Sequence, residues 1–128
     1  MKNSKPCIAL FGLLFLAQCT TSQVQTAQSQ SSTSPNDALQ ILMAGNERFA
    51  SGRSLHRNLP AQVKLTAGGQ HPVAAIVSCI DSRTSSELVF DQGMGDIFNA
   101  RVAGNVINDD ILGSLEFATS AAGAKLVL

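Results

Sequence analysis

The apolar side chains come in separate runs, and the spacing inside each run differs. Cys7 to Ala17 is an unbroken apolar run behind Lys2 and Lys5. A basic start followed by about eleven apolar residues predicts a secretory signal peptide over 1–19, too short to span a bilayer comfortably. Thr20 to Ser34 shows no apolar pattern: thirteen of its fifteen residues are Ser, Thr or Gln. Such a stretch buries too little apolar surface to offset the entropy of ordering it, so residues 20–34 read as a flexible, disordered tether. From Pro35 the pattern turns helical. Leu39, Leu42, Met43 and Phe49 fall on one face, Ser34 or Asn36 can cap the start, and Gly52 stops it. Arg53 to Asn58 is a polar connector, and Pro60 opens a second short helix with Val63 and Leu65, ended by Gly68-Gly69.

Pro72 to Ser78 then reads as a strand apolar on both faces, the pattern of a sheet covered above and below. Ser85 to Phe90 reads as a short helical turn and Asp96 to Ala103 as a second strand broken by Gly104-Asn105. Asn108 or Asp109 can cap a helix carrying Ile111, Leu112, Leu115, Ala118 and Ala122, which Gly123 ends. Lys125 to Leu128 begins a third strand. Strand and helix in alternation predict an α/β domain over 35–128, a parallel β-sheet with flanking helices and right-handed crossovers.

Composition narrows the classes. The chain has 128 residues and a formal charge of zero, with nine basic and nine acidic side chains. Loss of Lys2 and Lys5 with the signal leaves seven basic residues against nine acidic, a net of minus two. No basic patch interleaved with aromatics is present, so nucleic acid is not an expected partner. Three cysteines divide as simply: Cys7 leaves with the signal, Cys19 closes Leu16-Ala17-Gln18-Cys19, and Cys79 stands alone in the folded part. A disulfide framework within one chain is therefore excluded. The run ending at Cys19 resembles a bacterial lipobox, with Gln18 where that pattern has a small residue. Cys19 is the candidate lipidation site, which would tether the protein to a bacterial membrane. Simple cleavage to a soluble periplasmic product is the alternative.

Cys79 carries the chemistry. It lies at the end of the first predicted strand, in Val77-Ser78-Cys79-Ile80-Asp81-Ser82-Arg83. In an open parallel sheet, ligands bind at the carboxyl ends of the strands. A thiolate there can bind a metal or attack an electrophile, while Asp81 and Arg83 set the protonation of what sits beside it. The plainer alternative is a buried structural cysteine followed by a solvated turn, since free cysteine is among the most buried residue types. A phosphatase loop requires an arginine six residues past the nucleophile, where this chain has Ser85. A redox thiol of the Cys-x-x-Cys kind is absent.

From Asp37 onward the chain resembles a β-class carbonic anhydrase, in its N-terminal part. The resemblance runs through Gly45-Asn46-Glu47-Arg48-Phe49, Cys79-Ile80-Asp81-Ser82-Arg83, and Gly95-Asp96-Ile97-Phe98-Asn99-Ala100-Arg101-Val102-Ala103-Gly104-Asn105. It implies a zinc enzyme interconverting carbon dioxide and bicarbonate, built as a dimer-based homo-oligomer. It implies Zn2+ on two cysteines and one histidine, leaving a fourth position open for water, as expected of catalytic zinc. The pKa of such water falls to about 7, a figure borrowed from the three-histidine site of carbonic anhydrase. By the same resemblance Cys79 is the first thiolate ligand. Asp81 accepts a hydrogen bond from the zinc-bound water or takes the fourth zinc position itself, and Arg83 pairs with Asp81 and holds it off the metal.

The family's other ligands, a histidine with a cysteine three residues later, follow the third strand, and this sequence reaches Leu128 within that strand. The expected fold is thus β-carbonic-anhydrase-like, truncated after the third strand. His56 and His71 do not begin a His-x-x-Cys and read as surface or loop residues. One thiolate and one carboxylate do not hold catalytic zinc, so this sequence alone is expected to be inactive. A non-catalytic exported remnant or binding domain is the alternative.

Overall fold

The computed structural model describes residues 23–128. The predicted signal segment and Cys19 lie outside the described residues. The helices are α1 (Ala27–Ser32), α2 (Pro35–Ala50), α3 (Leu59–Leu65), α4 (Ser86–Val89) and α5 (Asp109–Glu116), and the strands are β1 (Ala74–Ser78), β2 (Ile97–Arg101) and β3 (Leu126–Val127). The strands form one parallel sheet in the order β2-β1-β3, with Ala74 opposite Ile97 on one side and Leu126 on the other. The α/β expectation holds.

Successive residues of β1 face opposite ways, and each face has its own cover. On one side Ala74 and Ile76 join Val73, Ile97, Ala38 and Leu42, so α2 lies across that face. On the other, Ala75 packs with Ala118 and Ala124, flanked by Phe98 and Leu115. The small side chains on the second face bring the segment after α5 close to the strand. There the helix widens into a π turn over Phe117–Ala121, and Gly123 (φ 78°) turns the chain into β3. A left-handed residue after a helix is the usual stop, and glycine adopts it without Cβ strain.

The caps follow the sequence closely. The Ser34 hydroxyl accepts from the Asp37 N–H at 3.1 Å, and the Asp37 carboxylate accepts from the Ser34 N–H, a complete capping box with Pro35 at the first helical position. Asn58 caps α3 and Asn108 caps α5 through their side-chain oxygens.

Two expectations are corrected. The predicted tether is ordered from Gln23 onward: Thr26 and Ser29 form a capping box that starts α1, and the segment is pinned to the domain by glutamine amides. Buried Gln30 donates to the carbonyls of Pro72 (2.7 Å) and Ala122 (2.8 Å), and buried Gln62 donates to that of Gln23 (2.8 Å). Polar anchoring of this kind leaves no apolar pattern to read. Second, the apolar face expected of α2 is covered only in part, and the apolar side chains of α3 are open. Val63 and Leu65 are exposed while Gln62 is buried, and Met43 and Phe49 of α2 are likewise exposed.

Candidate metal and catalytic site

β1 ends at Ser78, and the chain leaves the sheet as a loop carrying Cys79, Ile80, Asp81, Ser82 and Arg83. Cys79 is exposed, which removes the reading as a buried structural cysteine. Its sulfur accepts a hydrogen bond from the Gly104 N–H at 3.3 Å. Gly104 lies in the 3-10 turn after β2 with φ at 73°, a conformation that places this amide against the sulfur and suits glycine.

Asp81 and Arg83 meet as expected. The Arg83 Nε donates to Oδ1 at 3.0 Å and its terminal nitrogen to Oδ2 at 2.8 Å, while the Arg83 main-chain N–H also donates to Oδ1, at 2.9 Å. The bidentate contact fixes the plane of the carboxylate. These bonds, the side-chain contact foremost, hold the Asp81 carboxyl down to about 2, and the Arg101 charge adds to them. Asp81 is therefore ionised at any ordinary pH. The Arg83 side chain is 84% exposed, so the pair adds little to stability and serves to orient. A shallow cavity of about 400 Å³ opens beside it, lined by Ile80, Asp81, Ser82 and Arg101.

The sequence assigns Arg101 no role and Gly104 only that of breaking β2. Arg101 donates from Nε and a terminal nitrogen to the Cys79 carbonyl (3.1 and 3.0 Å), and from that terminal nitrogen to the Asp81 carbonyl (2.6 Å). The signal lay in the segment 95–105, but the register placing Arg101 opposite Ser78 is a tertiary fact.

A second missed cluster lies around Asp91, beyond α4. Asp91, with a side chain only 3% exposed, takes ion pairs from both Arg48 and Arg57, and the Leu55 N–H donates to its carboxylate. The segment Gly45 to Arg48 of α2 clasps the same stretch. Asn46 donates to the Val89 carbonyl at 3.0 Å, and a Cβ on Gly45 would overlap the Phe90 carbonyl oxygen. The glycine, asparagine and arginine of that motif are thus the packing of α2 against the segment following the Cys79 loop. His56 and His71 stand apart from Cys79 in sequence and setting: His56 lines a cavity with Arg57, Glu87 and Met94, and His71 precedes β1.

Zinc fits these residues as one part of a ligand set. Cys79 offers an exposed sulfur. The oxygens of Asp81 are occupied by Arg83, and among the described residues no three His, Cys, Asp or Glu side chains gather around a common point.

An α/β fold with a thiol and a guanidinium-held carboxylate at the carboxyl end of the central strand of a parallel sheet defines the class. The comparisons then agree on the family. The family profile of carbonic anhydrase matches residues 74–128. The chain is 42% identical over 97 residues to carbonic anhydrase 2 of Mycobacterium tuberculosis, covering 75% of this chain and 47% of that protein. It is 39% identical over 98 residues to carbonic anhydrase of Mycolicibacterium smegmatis, with the same coverage. Among solved structures, the fold is similar to tetrameric β-carbonic anhydrases from Sordaria macrospora at a TM-score of 0.50 and 22% identity, covering 71% of this chain and 47% of that one. The chain is thus similar in sequence to carbonic anhydrases and in fold to β-carbonic anhydrases, and it spans about half the length of the curated relatives it matches.

Proposed function

We propose that the protein carrying this chain catalyses the zinc-dependent, reversible hydration of carbon dioxide to bicarbonate, with Cys79 as a zinc ligand. The observation behind this reading is the exposed Cys79 sulfur with the Asp81–Arg83 pair at the carboxyl end of β1, within the segment matching the carbonic anhydrase family. Zinc, when bound, supplies Lewis acidity. The histidine and second cysteine completing the ligand set are not supplied by the residues described, so the activity belongs to a chain that includes them. This sequence made alone is then inactive.

The chain's own residues do three things in this reading. Cys79 offers a negatively charged sulfur donor. Asp81, ionised at all working pH values, is a fixed hydrogen-bond acceptor that orients the attacking water. Arg83 keeps that carboxylate in one plane and away from the sulfur's ligand position. Homo-oligomerisation, export, and tethering through Cys19 belong to the same proposal, the last two resting on residues 1–19 alone.

Stopped-flow hydration as a function of pH, paired with metal analysis, tests this in the protein containing this chain and its remaining ligands. Cys79→Ser is expected to lose tight zinc binding and activity together, because a neutral hydroxyl is a poor replacement for a thiolate. Asp81→Asn keeps zinc and lowers turnover by roughly a hundredfold or more. Arg83→Ala frees Asp81 to move onto the metal and raises the pH required for activity. Full zinc and full activity in Cys79→Ser would refute the assignment. Fractionation checks export, and Cys19→Ala releases the protein from membranes if Cys19 is acylated.

A further inference from the structure

We propose that Arg101 is a positioning residue: its guanidinium, bridging the carbonyls of Cys79 and Asp81, fixes where the sulfur and the carboxylate stand relative to each other. The inference rests on the functional reading above only for its catalytic consequence.

The loop has little else to hold it. Cys79, Ser82 and Arg83 are exposed, and Ile80, its one large apolar side chain, is 64% exposed, so no buried anchor fixes the turn. The Asp81–Arg83 contacts and the Thr84 N–H to Asp81 carbonyl bond (3.4 Å) are internal to the loop. They shape it without tying it to the sheet. Beyond the strand itself, the ties come from β2 and the turn after it: the Gly104 N–H to the sulfur, and three Arg101 bonds to two carbonyls.

Register explains why the residue is at this position. Arg101 is paired with Ser78, the last residue of β1, so a long side chain there reaches the peptide groups immediately beyond the strand. Two carbonyl oxygens two residues apart present two acceptors. The planar fork of a guanidinium meets both at once, whereas a lysine ammonium is a single point of charge on a flexible stem. Asp81 is held by this bridge at its carbonyl and by Arg83 at its carboxylate. Two arginines thus fix one residue from opposite ends.

The test is amide hydrogen exchange on the whole protein, comparing wild type with Arg101→Ala, Arg101→Lys and Arg101→Gln. The expected result is exchange at least tenfold faster at the hydrogen-bonded amides of Arg83 and Thr84 in Arg101→Ala, with the amides of Ala75 to Val77 unchanged. Methylguanidinium in solution is expected to restore slow exchange to Arg101→Ala, which a general loss of structure would not permit. Arg101→Lys is expected to fall between the two. If Arg101→Ala fails to fold, Arg101→Gln, which keeps two methylenes of the stem and loses the fork, carries the same expectation. Unchanged loop exchange in the folded variants, or lysine equal to arginine, overturns the proposal. Carbon dioxide hydration measured alongside separates the two ideas. An inactive wild type with an Arg101-dependent loop refutes the enzyme reading and sustains this one. An active wild type whose loop ignores Arg101 does the reverse.

Discussion

Asp91 faces two guanidiniums from inside the fold, and its titration sets how this protein meets acid. Burial by itself raises the Asp91 carboxyl, but the bonds from Arg48 and Arg57, the Arg57 charge and the Leu55 N–H outweigh it and leave the group below its ordinary value. A carboxyl depressed in the folded state contributes stability that is complete above about pH 4 and is lost as pH falls through the lower folded value. Asp96 runs the other way. Burial raises it, against the Gly93 and Gln25 main-chain bonds and the Arg57 charge, so its ionisation opposes folding at neutral pH and its protonation relieves that cost. Stability is therefore expected to hold or rise as pH drops towards 4, then to fall below it. Asp91→Asn leaves two arginines around a neutral amide and is expected to lose roughly 3 kcal/mol at pH 7 together with most of the acid-side fall. Asp96→Asn should remove the gain before it. Urea unfolding of both variants from pH 3 to 7 checks the signs, and an Asp91→Asn slope parallel to wild type below pH 4 would contradict the account. The sequence did not single out Asp91, because its arginine partners come from segments 34 to 43 residues away. Cys79, Asp81 and Arg83 were legible because they share one strand end.

Among the elements, those with apolar spacing or a turn signal such as Pro60 were readable, and α1, held by an amide, was not. β1, β2 and α5 announce themselves through apolar runs, helical spacing and an Asn108 cap. α1 has no such pattern, since its anchor is the side-chain amide of Gln30 reaching two carbonyls across 42 and 92 residues. Gln30→Ala is expected to leave the Pro72 and Ala122 carbonyls short of a donor and to cost about 2 kcal/mol. Gln30→Glu, which has acceptors only, should do no better. The α2 clasp gives a sharper test. Gly45→Ala drives a methyl into the Phe90 carbonyl, a backbone atom that cannot rotate away, so α2 must shift off the segment carrying Phe90 and Asp91. A loss of roughly 2–3 kcal/mol is expected from such overpacking, despite the helix propensity alanine gains. Chemical denaturation measures it. A neutral or stabilising result would mean that α2 and this segment are not in contact as described.

At the scale of the described residues, large apolar side chains gather around two concave surfaces. Around β2 and α5, the rings of Phe98 and Phe117 meet tilted, 6.2 Å between centres, and a cavity of about 500 Å³ opens beside them, Leu115 and Ala75. On the side of α4, Phe49, Leu55, Leu59, Leu88 and Met94 line a second cavity of about 750 Å³. Each of these five is at least 41% exposed, and Leu88 is 66% exposed. Scattered exposed leucines are ordinary, but large side chains gathered around concave surfaces mark contact with other protein. The open surfaces therefore fit contact with other protein. Residues 23–128 made alone are expected to associate, with a mass by light scattering that rises with concentration and with strong binding of a hydrophobic dye. Leu88→Ser should weaken dye binding at the α4 surface and leave the β2 surface untouched, and Phe117→Ser should do the converse. A concentration-independent monomer that binds no dye and melts in a single cooperative transition would show that both surfaces tolerate water. The contacts proposed for them would then fail.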